Sequence, residues 1–110
     1  MADRLIAQSL VEFIGTFVFL TIILVATSKT VSGPASGSVA PFAIVIALLA
    51  AILFGGQISG GHFNPAVTFM KTIQGETPIS TCATYIIVQL LAAASAYGFY
   101  KFVHEKYTVK

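Results

Sequence analysis

Three long apolar runs, separated by two connections of different character, make up most of the chain. They cover about residues 5–27, 39–54 and 79–102. At ~1.5 Å per helical residue the first and third can cross a hydrocarbon core of ~30 Å. The second is shorter and needs its flanking glycines, or a locally thinner bilayer, to span. The first connection, residues 28–38, is polar and carries Gly33-Pro34 as its turn. Pro41 falls in the first turn of the second run, where its missing N–H costs nothing. The second connection, "GGQISGGHFNPAVTFMKTIQGETP" over residues 55–78, is neither polar nor apolar enough in one stretch to span. After Asn64-Pro65 it reads as a short helix, about residues 65–74, bounded by Gly75 and Pro78. At roughly 14 Å, that helix reaches half the apolar thickness. Phe63, Val67, Phe69, Met70 and Ile73 are too dense for a surface loop, and Lys71 alone is too few basic residues for an interfacial helix. The pattern predicts an all-α membrane protein of three transmembrane helices plus one re-entrant half-helix, in one unit over residues 1–110, with no internal repeat.

Composition narrows the function. Of 110 residues 56% are hydrophobic and 9% charged, far fewer charges than a soluble domain carries. The net charge of +2 gives no reason to expect nucleic acid as a partner, and the partner that the runs demand is membrane lipid. Glu12 sits inside the first run, which is also longer than the ~7–15-residue core of a cleaved leader. Cys82 is the single cysteine, so there is no internal disulfide and no cysteine metal cluster. His62 and His104 lie far apart without acidic or cysteine partners at ligand spacing, so neither metal nor cofactor is expected. Ser59, Ser80 and Thr81 have no His–acid arrangement, and the glycines do not form a phosphate loop. Catalysis is not expected. Ala92 to Ala96 form a small-residue face for helix packing, and Tyr97, Phe99, Tyr100, Phe102 and Tyr107 read as an interfacial belt, with His104 beside Lys101 and Lys106.

The candidate chemistry is at Asn64-Pro65. Asn is a preferred N-cap, through its side-chain oxygen, and proline is pre-set for the next position. A half-helix starting there directs about half a positive charge from its N-terminus. With the oxygen capping, the amide nitrogen of Asn64 is free to donate outward. Such a donor orients a small polar molecule by its oxygen and repels cations. Extended backbone at Gly60, Gly61 and His62 would leave carbonyls that must face protein or a wet cavity. Acceptors leading to a central donor describe a path for a neutral, hydrogen-bonding solute. Glu12, with Gln8 and Thr16, forms a polar stripe at i, i+4 spacing inside a span, functional by default.

"SGGHFNPAVTF" (residues 59–69) resembles the signature of the major intrinsic protein family, the aquaporins and glycerol facilitators. "EFIGTFVF" (12–19) resembles that family's first helix and "YIIVQLLAA" (85–93) its third, so the likeness covers the whole chain. It implies that Asn64, Pro65 and Ala66 form one of two central boxes, approached along the carbonyls of Gly60, Gly61 and His62. It implies that Glu12 and Gln89 hold this loop from behind, that Phe19 forms part of the apolar wall, and that Ile44 stands at the second-helix position of the narrow filter. Aromatic residues are usual there, so an aliphatic one leaves the solute open. The family pairs two inverted halves, and only the first is matched here; no filter arginine follows Ala66. The implied function is passive conduction of water or a small polyol such as glycerol, in a pore completed by a second copy or another half-chain. Two other readings stay open: a non-conducting protein that modulates full-length channels, and an inactive truncated fragment. The cations show no positive-inside bias in the family's orientation, Arg4 and Lys71 against Lys29, Lys101, Lys106 and Lys110, which permits an antiparallel pair.

Overall fold

A computed structural model describes residues 2–28 and 39–107, helical in all its regular elements and without a strand among them. Four helices follow one another: α1, Ala2–Thr27; α2, Ala40–Ser59; α3, Pro65–Ile73; and α4, Ile79–Phe99, which passes into a π-helical turn at Tyr100–Glu105. The turn expected at Gly33-Pro34 and the side chain of His104 lie outside the described residues. α1, α2 and α4 are each long and apolar enough to cross a membrane. The protein is an integral, multi-pass, all-α membrane protein of three spans and one half-length helix.

α2 continues to Ser59, beyond the end of its apolar run. Gly55 does not stop it, because that glycine serves close approach. A Cβ there would lie 2.4 Å from a Val11 methyl on α1, so only hydrogen fits. The helix ends at Ser59, and the next residue caps it. Gly60, at φ +93°, donates its N–H to the Gly56 carbonyl at 2.8 Å, a left-handed C-cap that glycine adopts at little cost.

The spans form a row with α1 in the middle: α1 packs along both α2 and α4, α3 packs against α4, and α2 and α4 meet where the Tyr85 hydroxyl reaches the Ser59 carbonyl at the end of α2. α1 and α4 run the same way, since Glu12 lies by Gln89 and Ser28 by Tyr100. The row is inside-out by the standard of a soluble domain. Its fully buried large side chains are Tyr85, Gln89, Glu12, Thr16 and Thr68, and the contacts between spans use alanines such as Ala47, Ala92 and Ala96. Its exposed positions are Ile6, Leu10, Ile14 and Val18 on α1, spaced four apart, and Phe42, Leu49, Leu53 and Phe54 on α2. In water this surface would be a large apolar liability; in lipid it is neutral, and small residues and polar contacts supply the association.

Candidate functional site

Between α2 and α3 the chain makes a five-residue passage, and α1 holds it. Glu12, with no exposed surface, accepts four hydrogen bonds. Its Oε2 takes the Ser59 hydroxyl at 2.7 Å and the His62 N–H at 3.0 Å; its Oε1 takes the Phe63 N–H at 2.7 Å and the Gln89 amide at 2.9 Å. A carboxylate accepts on both oxygens, which is why one residue can anchor two successive backbone N–H groups and two helices. Ser59 also accepts the Gly61 N–H at 3.1 Å, and the Tyr85 hydroxyl donates to the Ser59 carbonyl at 2.6 Å. Gln89 spends its second amide hydrogen on Thr68 Oγ1 at 2.8 Å, and the same oxygen lies 2.9 Å from His62 Nδ1. His62 stands edge-on to Tyr85, ring centroids 5.2 Å apart.

The passage is not extended, as the sequence had suggested. Gly60 and Gly61 are left-handed, at φ +93° and +65°, and so is Phe63 at φ +51°. Two glycines reverse the chain within one step, whereas for Phe63 this backbone costs about 1–2 kcal/mol. Its hydrogen bond to the Glu12 carboxylate, about 1.5–3 kcal/mol for a bond to a charged group, and the packing of its ring, 2% exposed, offset that cost. The ring has room because Gly15 has no side chain: a Cβ there would sit 2.2 Å from Phe63 Cε1. Among the described residues nothing donates to the carbonyls of Gly60, Gly61 or His62.

At the end of the passage Asn64 caps α3. Its Oδ1 accepts the Ala66 N–H at 2.8 Å, Pro65 takes the first helical position, and Asn64 itself is exposed. The amide nitrogen of Asn64 therefore faces outward at a helix N-terminus. Its depth follows from its supports. Glu12 is the eleventh residue of α1 and Gln89 the eleventh of α4, each ~15 Å from its helix start. α3 has nine residues, ~14 Å, and returns to the same side. The tip thus stands near mid-depth of a ~30 Å core. From that side a cavity of about 810 Å³ leads inward, with Arg4 and Lys71 at its outer wall and Gly60, His62 and Tyr85 at its inner wall. Lys71 pairs with Glu76 at 2.9 Å.

Of the residues singled out by sequence, the structure brings Glu12, Gln89, Gly60, Gly61, His62, Asn64, Pro65 and Ala66 into one cluster. Phe19 and Ile44 are half-buried on α1 and α2 and take no part in its hydrogen bonds. Thr68, Ser59, Tyr85, Phe63 and Gly15 were not foreseen as parts of it. Two carried a signal: Tyr85 precedes Gln89 by four residues and Thr68 follows Asn64 by four, each sharing a helix face with a marked residue. No group of three or more His, Cys, Asp or Glu suited to a metal occurs among the described residues.

The family model described as "Major intrinsic protein" matches residues 3–110. Human Aquaporin-10 is 37% identical over 94 residues, 83% of this chain and 31% of its own length. Aquaporin TIP2-1 of Arabidopsis thaliana is 37% identical over 101 residues, covering 86% of this chain and 40% of its own length. The lens fiber major intrinsic protein of Lithobates pipiens is 36% identical over 84 residues, 76% of this chain and 32% of its own length. The chain thus spans between about a third and two fifths of the curated relatives it matches. No solved structure matches it.

Proposed function

The chain belongs to the major intrinsic protein family, and on that premise we propose that it forms one half of a passive channel for water or a small neutral solute such as glycerol, completed by a second copy or another half-chain. The observation that carries this reading is the cap of α3. Asn64 satisfies a backbone N–H with its oxygen and so presents its amide nitrogen, beside a positive helix end, at mid-depth. A water or hydroxyl arriving there offers its oxygen; a cation is repelled. The unpaired carbonyls of Gly60, Gly61 and His62 act as the acceptors along the approach. Ala66 and Pro65 complete the tip, and Phe19 and Ile44 supply apolar wall. Glu12 and Gln89 act from behind, by fixing the passage that aims these groups. The process is conduction down a gradient, with no bond made or broken.

One half-helix reaches only to mid-depth, and a row of three spans has no second side with which to enclose a path. Two halves inverted about an axis in the membrane plane would oppose two such tips, the logic of inverted repeats.

Stopped-flow shrinkage of proteoliposomes under an osmotic step tests the proposal. Vesicles holding the protein should shrink faster than empty ones. Asn64→Asp should return the rate to that of empty vesicles, because aspartate caps a helix as well as asparagine and so keeps α3, but it removes the outward donor and adds a negative charge. Shrinkage no faster than that of empty vesicles for the unmodified protein would refute conduction.

A further inference from the structure

We propose that Thr68 is a positioning residue that fixes the tautomer of His62, so that the imidazole presents Nε2–H, a donor, to the wall of the approach cavity. The assignment comes from counting donors. Glu12 Oε1 is a carboxylate oxygen, which accepts and does not donate, so the group of Gln89 pointing at it is the amide nitrogen and not the oxygen. The same nitrogen donates to Thr68 Oγ1, which therefore accepts from Gln89 and must place its own proton elsewhere. Hydroxyls in this chain that turn back on their own helix do so visibly: Ser9, Thr27, Thr72 and Thr84 each donate to the carbonyl four residues earlier. Thr68 does not. Among the described residues its hydroxyl makes no such bond, although the Asn64 carbonyl, which takes the Thr68 N–H, has a lone pair to spare. The remaining acceptor within reach is His62 Nδ1, 2.9 Å away. Thr68 has no exposed surface, so water does not compete for that proton.

With Nδ1 accepting, a neutral imidazole carries its hydrogen on Nε2. That atom lies beside Gly60, where a Cβ would come within 3.3 Å of it, and His62 and Gly60 both line the cavity. The order of groups toward Asn64 is then fixed: a donor at His62, acceptor carbonyls through the passage, and a donor at the α3 tip. The opposite tautomer would present a bare nitrogen, a further acceptor, to the same cavity. A relay from Glu12 through Gln89 and Thr68 thus reaches a group that faces solute, although Thr68 itself faces none. The consequence for transport rests on the channel reading above; the tautomer does not.

Nitrogen NMR of imidazole-labelled protein in lipid bilayers decides it, with His104→Gln leaving one histidine. At alkaline pH, where the ring is neutral, the expected spectrum has an unprotonated Nδ1 and a protonated Nε2. A protonated Nδ1, or a mixture, overturns the proposal without reference to any variant. Thr68→Val should produce a mixture, and Thr68→Ser should restore the single form; an unchanged single form in Thr68→Val overturns the role of Thr68. In proteoliposomes Thr68→Val should slow solute flux at least twofold and Thr68→Ser should recover it. If the unmodified protein does not conduct but shows the expected spectrum, the channel reading fails and the tautomer stands.

Discussion

Gly15 shows how one missing side chain decides the shape of the site. Its position admits the Phe63 ring, whose burial compensates for left-handed backbone next to the helix tip. Gly15→Ala places a methyl where a ring carbon now stands, so either α1 moves or Phe63 leaves. Overpacking of this kind costs about 1–3 kcal/mol. The expected outcome is a loss of that size in unfolding free energy in detergent, with a fall in osmotic flux as Asn64 loses its aim. Phe63→Ala in the same background should recover part of the flux deficit but not the stability, which distinguishes a clash from a general weakening of α1. At this scale the sequence was partly legible. Glu12 and Gln89 declared themselves because polar side chains within apolar runs need a reason to be there. Asn64 declared itself as a cap. Thr68 and Ser59 did not, because a serine or threonine hydroxyl in a membrane helix can satisfy itself on its own backbone, as Thr72 and Thr84 do, and Tyr85 did not, because its ring reads as one more apolar side chain in the run. Only three-dimensional placement reveals which hydroxyls have longer-range partners. Gly15 was silent for the same reason, since what a glycine makes room for lies elsewhere in the chain.

Among the elements, α3 is the one that could not stand alone. Nine residues are too few for a stable isolated helix, and this one is kept by its Asn64–Pro65 start, by Thr68 buried against α4, and by turns at both ends. Those turns differ in a way that can be measured. Gly61 and Gly75 are both left-handed, at φ +65° and +87°, but a Cβ on Gly61 would lie 3.4 Å from the Gly56 backbone and one on Gly75 would meet nothing within 4 Å. Gly75→Ala should cost backbone strain alone, about 1 kcal/mol. Gly61→Ala, whose Cβ would make an ordinary contact at 3.4 Å, should cost about as much, but should also raise hydrogen exchange at the His62 and Phe63 amides, which depend on Glu12. Unchanged exchange at those two amides in Gly61→Ala would contradict this account of the passage. Element identity was readable from the apolar runs and the Asn-Pro step, because both are local. The end of α2 was not: a glycine pair that would stop a helix in solution is carried through here because Gly55 packs on Val11. Nor was the left-handed backbone of Gly60, Gly61 and Phe63, whose cause is a carboxylate on another helix.

As a whole molecule, the protein is a row of three spans with α1 in the middle, and α2 and α4 meet at one end through Ser59 and Tyr85. Its family and its membrane class were legible from the chain, since lipid demands a composition that water forbids. The side-by-side order of the spans was not, because polar residues identify which faces are buried but not against which neighbour. A row has two broad faces, and for a path through the membrane at least one of them must meet another row. That requirement has an arithmetic signature. Where two freely diffusing copies must collide to make a pore, the number of pores in dilute membranes grows with the square of the protein-to-lipid ratio, and diluting the protein tenfold with added lipid should cut flux about a hundredfold. Where the second half arrives already joined, dilution should cut it only tenfold. The slope of flux against surface density, on logarithmic axes, therefore reads out the stoichiometry of the conducting unit, and three spans with one half-length helix make transport a matter of encounter as much as of shape.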